Sequence, residues 1–408
     1  FILPSKSMTE AEAEKAMQDK IREDVIEYVI DRFAQSALFL KKLGFGMVTV
    51  HAGHGWLLNQ FFSPFFNKRT DKWGGSAENR ARLTVTIVDK IHERCGKGFP
   101  VEGRISGSEL FEGGYGIEGG IEFAKQLDGH ADLIHVSAGN PYGWNYSGEW
   151  THPGIFKNSA CNVWMAAEIK KHVNTPVATV GGLSDPDELE EIIASGKADV
   201  VEMARGLICD PDLPVKLRTG REKEVRKCLR CFSCIGSMYT RGRVFCAINP
   251  ETGKEREVLS QHSVPSKHVL VAGGGMAGME AAITAAERGH EVILCEKSDK
   301  LGGLLNFTDT DSLKHDLRRY KNHMVEKTLR SKVKIMFNTE VTPELAAQIN
   351  PTDIIVATGS KARKLPIKGA DYAMDATEYL LGEKEVGENV TIIGGGLTGC
   401  EIAYDLYL

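Results

Sequence analysis

Cys228, Cys231 and Cys234 are spaced C-x2-C-x2-C, and a fourth cysteine follows in the run Cys246-Ala247-Ile248-Asn249-Pro250. Three thiolates so close along a chain can hold three corners of a cube, and a fourth from a returning loop completes it. That is the ligand set of a 4Fe–4S cluster. A structural zinc site more often uses two separated C-x2-C pairs or cysteines with histidines, and no histidine lies among these four. Zinc and unliganded thiols are the other readings. A cluster between two domains acts as an electron relay, so each flanking domain is expected to carry a redox partner.

Two glycine runs supply the next chemistry. Val269-Leu270-Val271-Ala272 leads into Gly273-Gly274-Gly275-Met276-Ala277-Gly278, an Ala-rich helix and a second strand, Val292-Ile293-Leu294-Cys295, with Glu296 just after it. In this strand–turn–helix–strand–acid context the pattern is a dinucleotide fingerprint. Gly273, Gly275 and Gly278 let the backbone approach a pyrophosphate, and Glu296 can accept hydrogen bonds from ribose hydroxyls. The pattern recurs as Val390-Thr391-Ile392-Ile393 followed by Gly394, Gly396 and Gly399, with Ala357-Thr358-Gly359-Ser360 between the two. Two fingerprints predict two dinucleotides. The residue that would choose between NADH and NADPH lies beyond Leu408.

The N-terminal half must position the substrate chemistry. Polar residues recur where apolar runs end: His51 and His54, Arg104, Ser137 with Gly139, Gly181-Gly182, and Arg205-Gly206. The runs Met47–Val50, Val101–Ile105, Asp132–Val136, Pro176–Val180 and Asp199–Met203 read as strands alternating with helices, giving five βα units. Thr9 with Glu12 forms a capping box. Ile21, Val25, Tyr28, Val29, Phe33 and Leu40 make a helical stripe stopped by Gly44, Ser76 opens the next helix, and Ser184 caps another that Gly196 ends. A doubly wound open sheet is one solution for such a pattern. Five successive polar sites at one strand end favour a partial (β/α)8 TIM barrel, whose active site lies at that rim. On this reading three further strands precede Phe1. The expected domains are residues 1–222 as the barrel, 223–266 as the iron–sulfur segment with a polar linker from Glu251 to Ser266, and 267–408 as a Rossmann-like FAD/NAD(P)-binding domain, within an overall α/β fold.

Composition narrows the class. The chain has 408 residues, a net charge of −5 and no basic block, which argues against nucleic acid or anionic membrane as partner. No apolar run reaches membrane-spanning length. Of nine cysteines, Cys95, Cys161, Cys209, Cys295 and Cys400 are scattered singly, which fits a reducing compartment and predicts a cytoplasmic protein.

Several runs together resemble a known family: Val50-His51-Ala52-Gly53-His54-Gly55, Asn59 to Pro64, Asn67 to Arg82, Phe99 to Arg104, Gly181-Gly182, Met203-Ala204-Arg205-Gly206 and Asp210-Pro211, followed by the cysteines and both glycine fingerprints. The layout is similar to the multidomain NADH:flavin oxidoreductases built on an old yellow enzyme barrel, a group that includes 2,4-dienoyl-CoA reductase, 2-enoate reductases and trimethylamine dehydrogenase. The resemblance covers essentially the whole chain. It implies FMN on the barrel rim, a 4Fe–4S cluster held by Cys228, Cys231, Cys234 and Cys246, FAD at the first fingerprint and NAD(P)H near the second, with electrons passing in the order NAD(P)H, FAD, cluster, FMN, substrate. It also places Arg104 beside the flavin pyrimidine, and Gly181, Gly182, Ala204 and Arg205 around the FMN phosphate. His51 and His54 become the pair that holds a substrate oxyanion.

The implied substrate is a small molecule with an activated C=C bond: an enoate, an enoyl-CoA or an enone. Amine dehydrogenation in the opposite direction and a non-catalytic electron-transfer subunit are the alternatives. The family usually has a proton-donating tyrosine two residues after the second histidine position, where this chain has Trp56. Tyr142 and Tyr146 are the candidate substitutes. The missing first strands imply a truncated polypeptide, and substrate identity and oligomeric state, including a homo-oligomer, are left open.

Overall fold

The computed structural model describes residues 21–141, 148–259, 265–311, 313–363 and 365–407. The Thr9–Glu12 capping box, Tyr142, Trp144 and Tyr146 lie outside the described residues. The chain divides into two units, Phe1–Gly236 and Ser237–Leu408.

In the first unit, helices α1 (Glu23–Lys42), α2 (Ala77–Cys95), α3 (Ile117–Leu127), α4 (Val163–Lys170) and α5 (Pro186–Ala194) alternate with strands β1 (Val48–Ala52), β2 (Val101–Ser106), β3 (Leu133–Ser137), β4 (Val177–Thr179) and β5 (Val200–Val201). All five strands are parallel and lie in the order β1-β2-β3-β4-β5. A doubly wound sheet reverses its strand order at a switch point. No reversal occurs here.

The two faces of the sheet differ. Val50, Ala52, Val101, Ile105, Ile134, Val136 and Val177 form one core with Ile26, Ile30, Ala34, Leu83, Ile87 and Ile91 of the helices. Each fully buried Val, Leu or Ile side chain among them contributes about 1.5–3 kcal/mol. The strand period of two puts Thr49, His51, Glu102, Arg104, His135 and Ser137 on the opposite face. Helices therefore cover one face and polar side chains occupy the other.

The helix ends follow local chemistry. Ser76 accepts a hydrogen bond from the N–H of Asn79, and Gly44 adopts φ 90° past α1. The cap of α5 is Asp185, not Ser184: its side chain accepts from the Asp187 N–H. Pro186 occupies the first helical turn and keeps the residue before it extended, so the cap falls one position later than Ser184.

In the second unit, β6 (His268–Ala272), α6 (Met276–Glu287), β7 (Glu291–Cys295), α7 (His315–Arg330), β8 (Lys334–Met336), α8 (Pro343–Ile349) and β9 (Asp353–Val356) build a parallel sheet of order β8-β7-β6-β9. The order reverses at β6, so the glycine turn after Ala272 stands at the switch point where such sheets bind ligands. Two expectations need correction. Glu255–Leu259, within the expected linker, is helical. Val390–Ile393 forms no strand, because no described strand pairs with it and its side chains are exposed. The helix after it, α9 (Leu397–Tyr407), does form. Among the described residues no helix is long and apolar enough to cross a membrane.

The glycine turns are packing devices. A Cβ on Gly278 would lie 1.8 Å from the Gly273 carbonyl oxygen, and one on Gly399 would lie 2.0 Å from that of Gly394. Gly275 has room, with its nearest neighbour 4.0 Å away. We expect Gly278→Ala to destabilise the second unit by about 1–3 kcal/mol in chemical denaturation. Gly275→Ala is expected to leave the midpoint unchanged. Equal midpoints for the two variants would refute this packing argument.

Candidate active site

β1 ends in His51-Ala52, and the chain then turns through two left-handed residues, His54 (φ 57°) and Gly55 (φ 71°). The turn returns the His54 ring to 5.0 Å from that of His51, centroid to centroid, at 72° between planes. His54 is buried: its N–H donates to Ser106 Oγ at 3.0 Å and its Nε2 lies 2.7 Å from Ser137 Oγ. Gly55 N–H donates to Asn59 Oδ1 (2.7 Å) and Asn140 Nδ2 donates to Glu109 Oε1 (2.8 Å), fixing the loop from beneath. Tyr115 O–H donates to the Ser106 carbonyl at 2.9 Å. Trp56, two residues after His54, is 56% exposed.

Arg104 pairs with His51 on one side and His135 on the other in the strand register. The buried polar atoms at this face without a hydrogen-bond partner include His51 Nδ1 and Arg104 Nε. Burial pushes the His51 imidazole down to about 4, with the Arg104 and His135 charges adding to it. Burial also holds His54 well below the ordinary imidazole range, and Arg104 and His51 reinforce the shift. Both rings are therefore neutral near pH 7. His152, which sequence reasoning did not single out, belongs to the same electrostatic group. Burial lowers its pKa, as do Arg205 and Arg104, and its charge in turn bears on His54.

The depressed pKa of His51 has a consequence for stability. The unfolded imidazole takes up a proton near pH 6.5 and the native one only near 4, so stability is full above about 6.5 and falls as pH drops through that window. Burial opposes protonation of His135, but the adjacent Glu102 and Glu202 carboxylates carry its pKa upward, a contribution of opposite sign. Thermal melts from pH 7 to 5 should show a smaller loss of Tm in His51→Gln than in the unaltered protein. An equal loss would contradict the assignment.

The remaining sequence-derived positions fall into three places. Gly181 (φ 140°) and Gly182 (φ 71°) follow β4, where a Cβ on Gly181 would meet Asn162 Nδ2 at 2.7 Å. Ala204 caps the short helix Arg205–Cys209. Arg205 donates through Nη2 to the Pro153 carbonyl at 2.9 Å, while its buried Nη1 has no partner. A glycine pair of positive φ with an unmatched guanidinium N–H fits a phosphate, and the unmatched Arg104 and His51 nitrogens fit a polar ring edge.

The cysteine loop meets this corner. Arg230, between Cys228 and Cys231, brings Nη1 to 3.6 Å from where a Gly182 Cβ would stand. The Arg205 guanidinium lies 5.5 Å from the Phe232 ring centroid. Arg230 (φ 54°) and Phe232 (φ 63°) are both left-handed, a conformation that side chains other than glycine rarely hold. The Arg230 N–H donates to Cys228 Sγ at 3.3 Å. A loop folded to aim an N–H at sulfur suits an iron–sulfur ligand loop. Cys228 and Cys234 are half-buried and Cys231 exposed; Cys246, also half-buried, belongs to the second unit.

In the second unit Gly273 (φ 105°) and Gly278 close the turn after β6, and Gly275 caps α6. Glu296 is buried and accepts from the Gly274 N–H (2.7 Å) and from Ser298 N–H and O–H (2.9 Å each). These bonds draw its carboxyl below the usual range against the opposing effect of burial. Its oxygens retain unused lone pairs for ribose hydroxyls. Gly394 (φ 112°), Gly396 and Gly399 form a second turn of the same kind before α9.

Comparison with known proteins gives a consistent picture. The model of the NADH:flavin oxidoreductase / NADH oxidase family matches residues 4–224. That of pyridine nucleotide-disulphide oxidoreductase matches residues 245–342 and 267–407. The chain is 39% identical over 391 residues to an NADH oxidase of Thermoanaerobacter brockii, covering 93% of this chain and 59% of that protein. It is 38% identical over 398 residues to a cinnamate reductase of Clostridium sporogenes, covering 93% and 59%. Among solved structures, a 2-naphthoyl-CoA reductase in complex with 2-naphthoyl-CoA superposes with a TM-score of 0.87 at 31% identity, over 95% of this chain and 59% of that one. The chain thus spans about 59% of the length of these relatives.

Proposed function

Because this chain belongs to the NADH:flavin oxidoreductase / NADH oxidase family, we propose that it serves an NAD(P)H-dependent reduction of an activated C=C bond, at the rim of a (β/α)8 barrel of which five strands are seen. FMN, FAD and a 4Fe–4S cluster, when bound, would supply the hydride and single-electron chemistry that side chains cannot, between NAD(P)H and substrate. The observation that carries this reading is the contact of the cysteine loop with the glycine–arginine corner. Arg230 reaches Gly182 and Phe232 faces Arg205, so a cluster on Cys228, Cys231 and Cys234 would adjoin a flavin phosphate held by Gly181, Gly182, Ala204 and Arg205.

His51 and His54 hold the substrate carbonyl oxygen. His54 Nε2 lies 2.7 Å from Ser137 Oγ; in the tautomer in which Ser137 donates there, the His54 proton sits on Nδ1 and can be offered to substrate. Neutral imidazoles suit this task, since they donate without presenting a full charge to the ground-state carbonyl, and they stabilise the oxygen as it gains charge. Arg104 supplies a fixed cation at the flavin edge. Cys246 would be the fourth thiolate that the family resemblance assigns to the cluster, Gly273, Gly275, Gly278 and Glu296 would hold FAD, and Gly394, Gly396 and Gly399 would receive the nicotinamide dinucleotide. The exposed Trp56 indole, two residues after His54, offers a flat face to a conjugated acyl substrate, an enoate or its CoA thioester. Its N–H is too weak an acid to protonate carbon.

Anaerobic turnover against enoates, enoyl-CoA thioesters, enones and secondary amines, with NADH and with NADPH, tests the assignment. Consumption of an alkene acceptor is expected. Oxidation of amines without any alkene reduction would overturn it in favour of a dehydrogenase.

A further inference from the structure

We propose that Glu102, His135 and Glu202 form a binding site for one divalent transition-metal cation on the polar face of the first unit's sheet, distinct from the cysteine set. The three residues come from β2, from β3 and from just after β5, and register alone brings them together. Arg104 is level with His135, Ala178 with Val200, and Glu202 stands two residues further on the same face. Each offers one ligand atom, and these atoms all lie within 4.8 Å of one another. His135 Nδ1 is 3.0 Å from Glu102 Oε1 and 2.9 Å from Glu202 Oε2.

Those distances would suit hydrogen bonds, but the directions do not. Both ring nitrogens of His135 and Oε1 of Glu102 are buried without a hydrogen-bond partner, in side chains only 4% and 2% exposed. His135 Nδ1 thus stands within 3.0 Å of an oxygen of each carboxylate at once. Ligand atoms about 3.0 Å apart are what an ion with bonds of about 2.1 Å imposes on neighbouring octahedral positions. Two carboxylates and one imidazole suit Mn2+, Fe2+ or Zn2+. Thr49 O–H donates to the other Glu102 oxygen and fixes that carboxylate from behind. The Glu202 side chain is 30% exposed, which gives the ion an entry path and room for water in its remaining positions. Arg104, two residues from Glu102 on the same strand, opposes the ion's charge, so moderate affinity is expected.

The probe is Mn2+, a hard cation that thiolates bind poorly. The purified protein is titrated with Mn2+ while the EPR signal of the free ion is followed. One Mn2+ per chain should bind and be displaced by Zn2+. Glu202→Gln should weaken binding at least about tenfold, as outer and inner ligand losses do, and His135→Gln should do the same. Cys228→Ser should leave it unchanged. Glu202 is the partly exposed ligand, so its amide variant keeps the test valid if His135→Gln fails to fold. Absence of Mn2+ uptake, or uptake unaltered by Glu202→Gln, would mean that the three side chains hold only protons, and would overturn the proposal.

Discussion

Replacing Cys228 or Cys234 by serine should abolish NAD(P)H-driven reduction of substrate while leaving the FMN half competent. Serine is a poor iron ligand, so iron content should fall to background. The two flavins would then be electrically separate. Substrate reduction driven by dithionite, which reduces flavin directly, should continue near the unaltered rate. The contrast between the two reductants is the informative quantity, because a misfolded variant would lose both activities together. Cys400→Ser, at an exposed cysteine outside the C-x2-C-x2-C run, should change neither. Full NAD(P)H-driven turnover by an iron-free Cys228→Ser protein would remove the cluster from the electron path.

The second large effect is expected at the paired imidazoles. Loss of one oxyanion donor typically costs about 10²–10³ in kcat, so His51→Ala and His54→Ala should each lower turnover by that order. The bound flavin count and its rate of reduction by NAD(P)H should hold, since on the proposed path neither ring serves the entry of electrons. His54→Ala carries a further consequence: Ser137 loses its partner at 2.7 Å, whereas Ser106 keeps both the backbone N–H of residue 54 and the Gly139 carbonyl. His51→Ala, whose Nδ1 has no protein partner to lose, is thus the cleaner probe. The two losses should combine less than additively if both rings act on one oxygen as proposed. Unimpaired turnover in both variants would exclude them as substrate ligands.

The parts of this molecule that were legible in the sequence are those where local pattern and final position coincide. Strand ends rich in polar residues marked His51, Arg104 and Gly181, because a parallel sheet carries every such end to one rim. The first glycine fingerprint was legible because its spacing is itself the packing constraint: Gly278 must lie against the Gly273 carbonyl. Boundaries were less legible. Ser184 and Asp185 are both good caps, and only the effect of Pro186 on the residue before it selects Asp185. Val390–Ile393 has the composition of a strand, but a strand exists only with a ladder partner, which apolar composition cannot guarantee.

What depends on register was invisible. Glu102, His135 and Glu202 are far apart along the chain and carry no shared motif, and only the alignment of β2, β3 and β5 assembles them. The approach of Arg230 to Gly182 has the same origin: the cysteine spacing suggested iron, but nothing local tied that loop to the turn after β4. His152 was passed over because a histidine in a loop has no periodic signature, and its place beside His54 and Arg104 follows from tertiary structure alone.

The measurement that bears most directly on the account is an anaerobic NADH titration of the purified protein, followed by visible absorbance and low-temperature EPR. The account predicts that NADH bleaches two flavins per chain, brings up the signal of a reduced 4Fe–4S cluster, and that an added enoate reverses both changes. Bleaching of a single flavin with no cluster signal, in protein shown to contain iron, would contradict it.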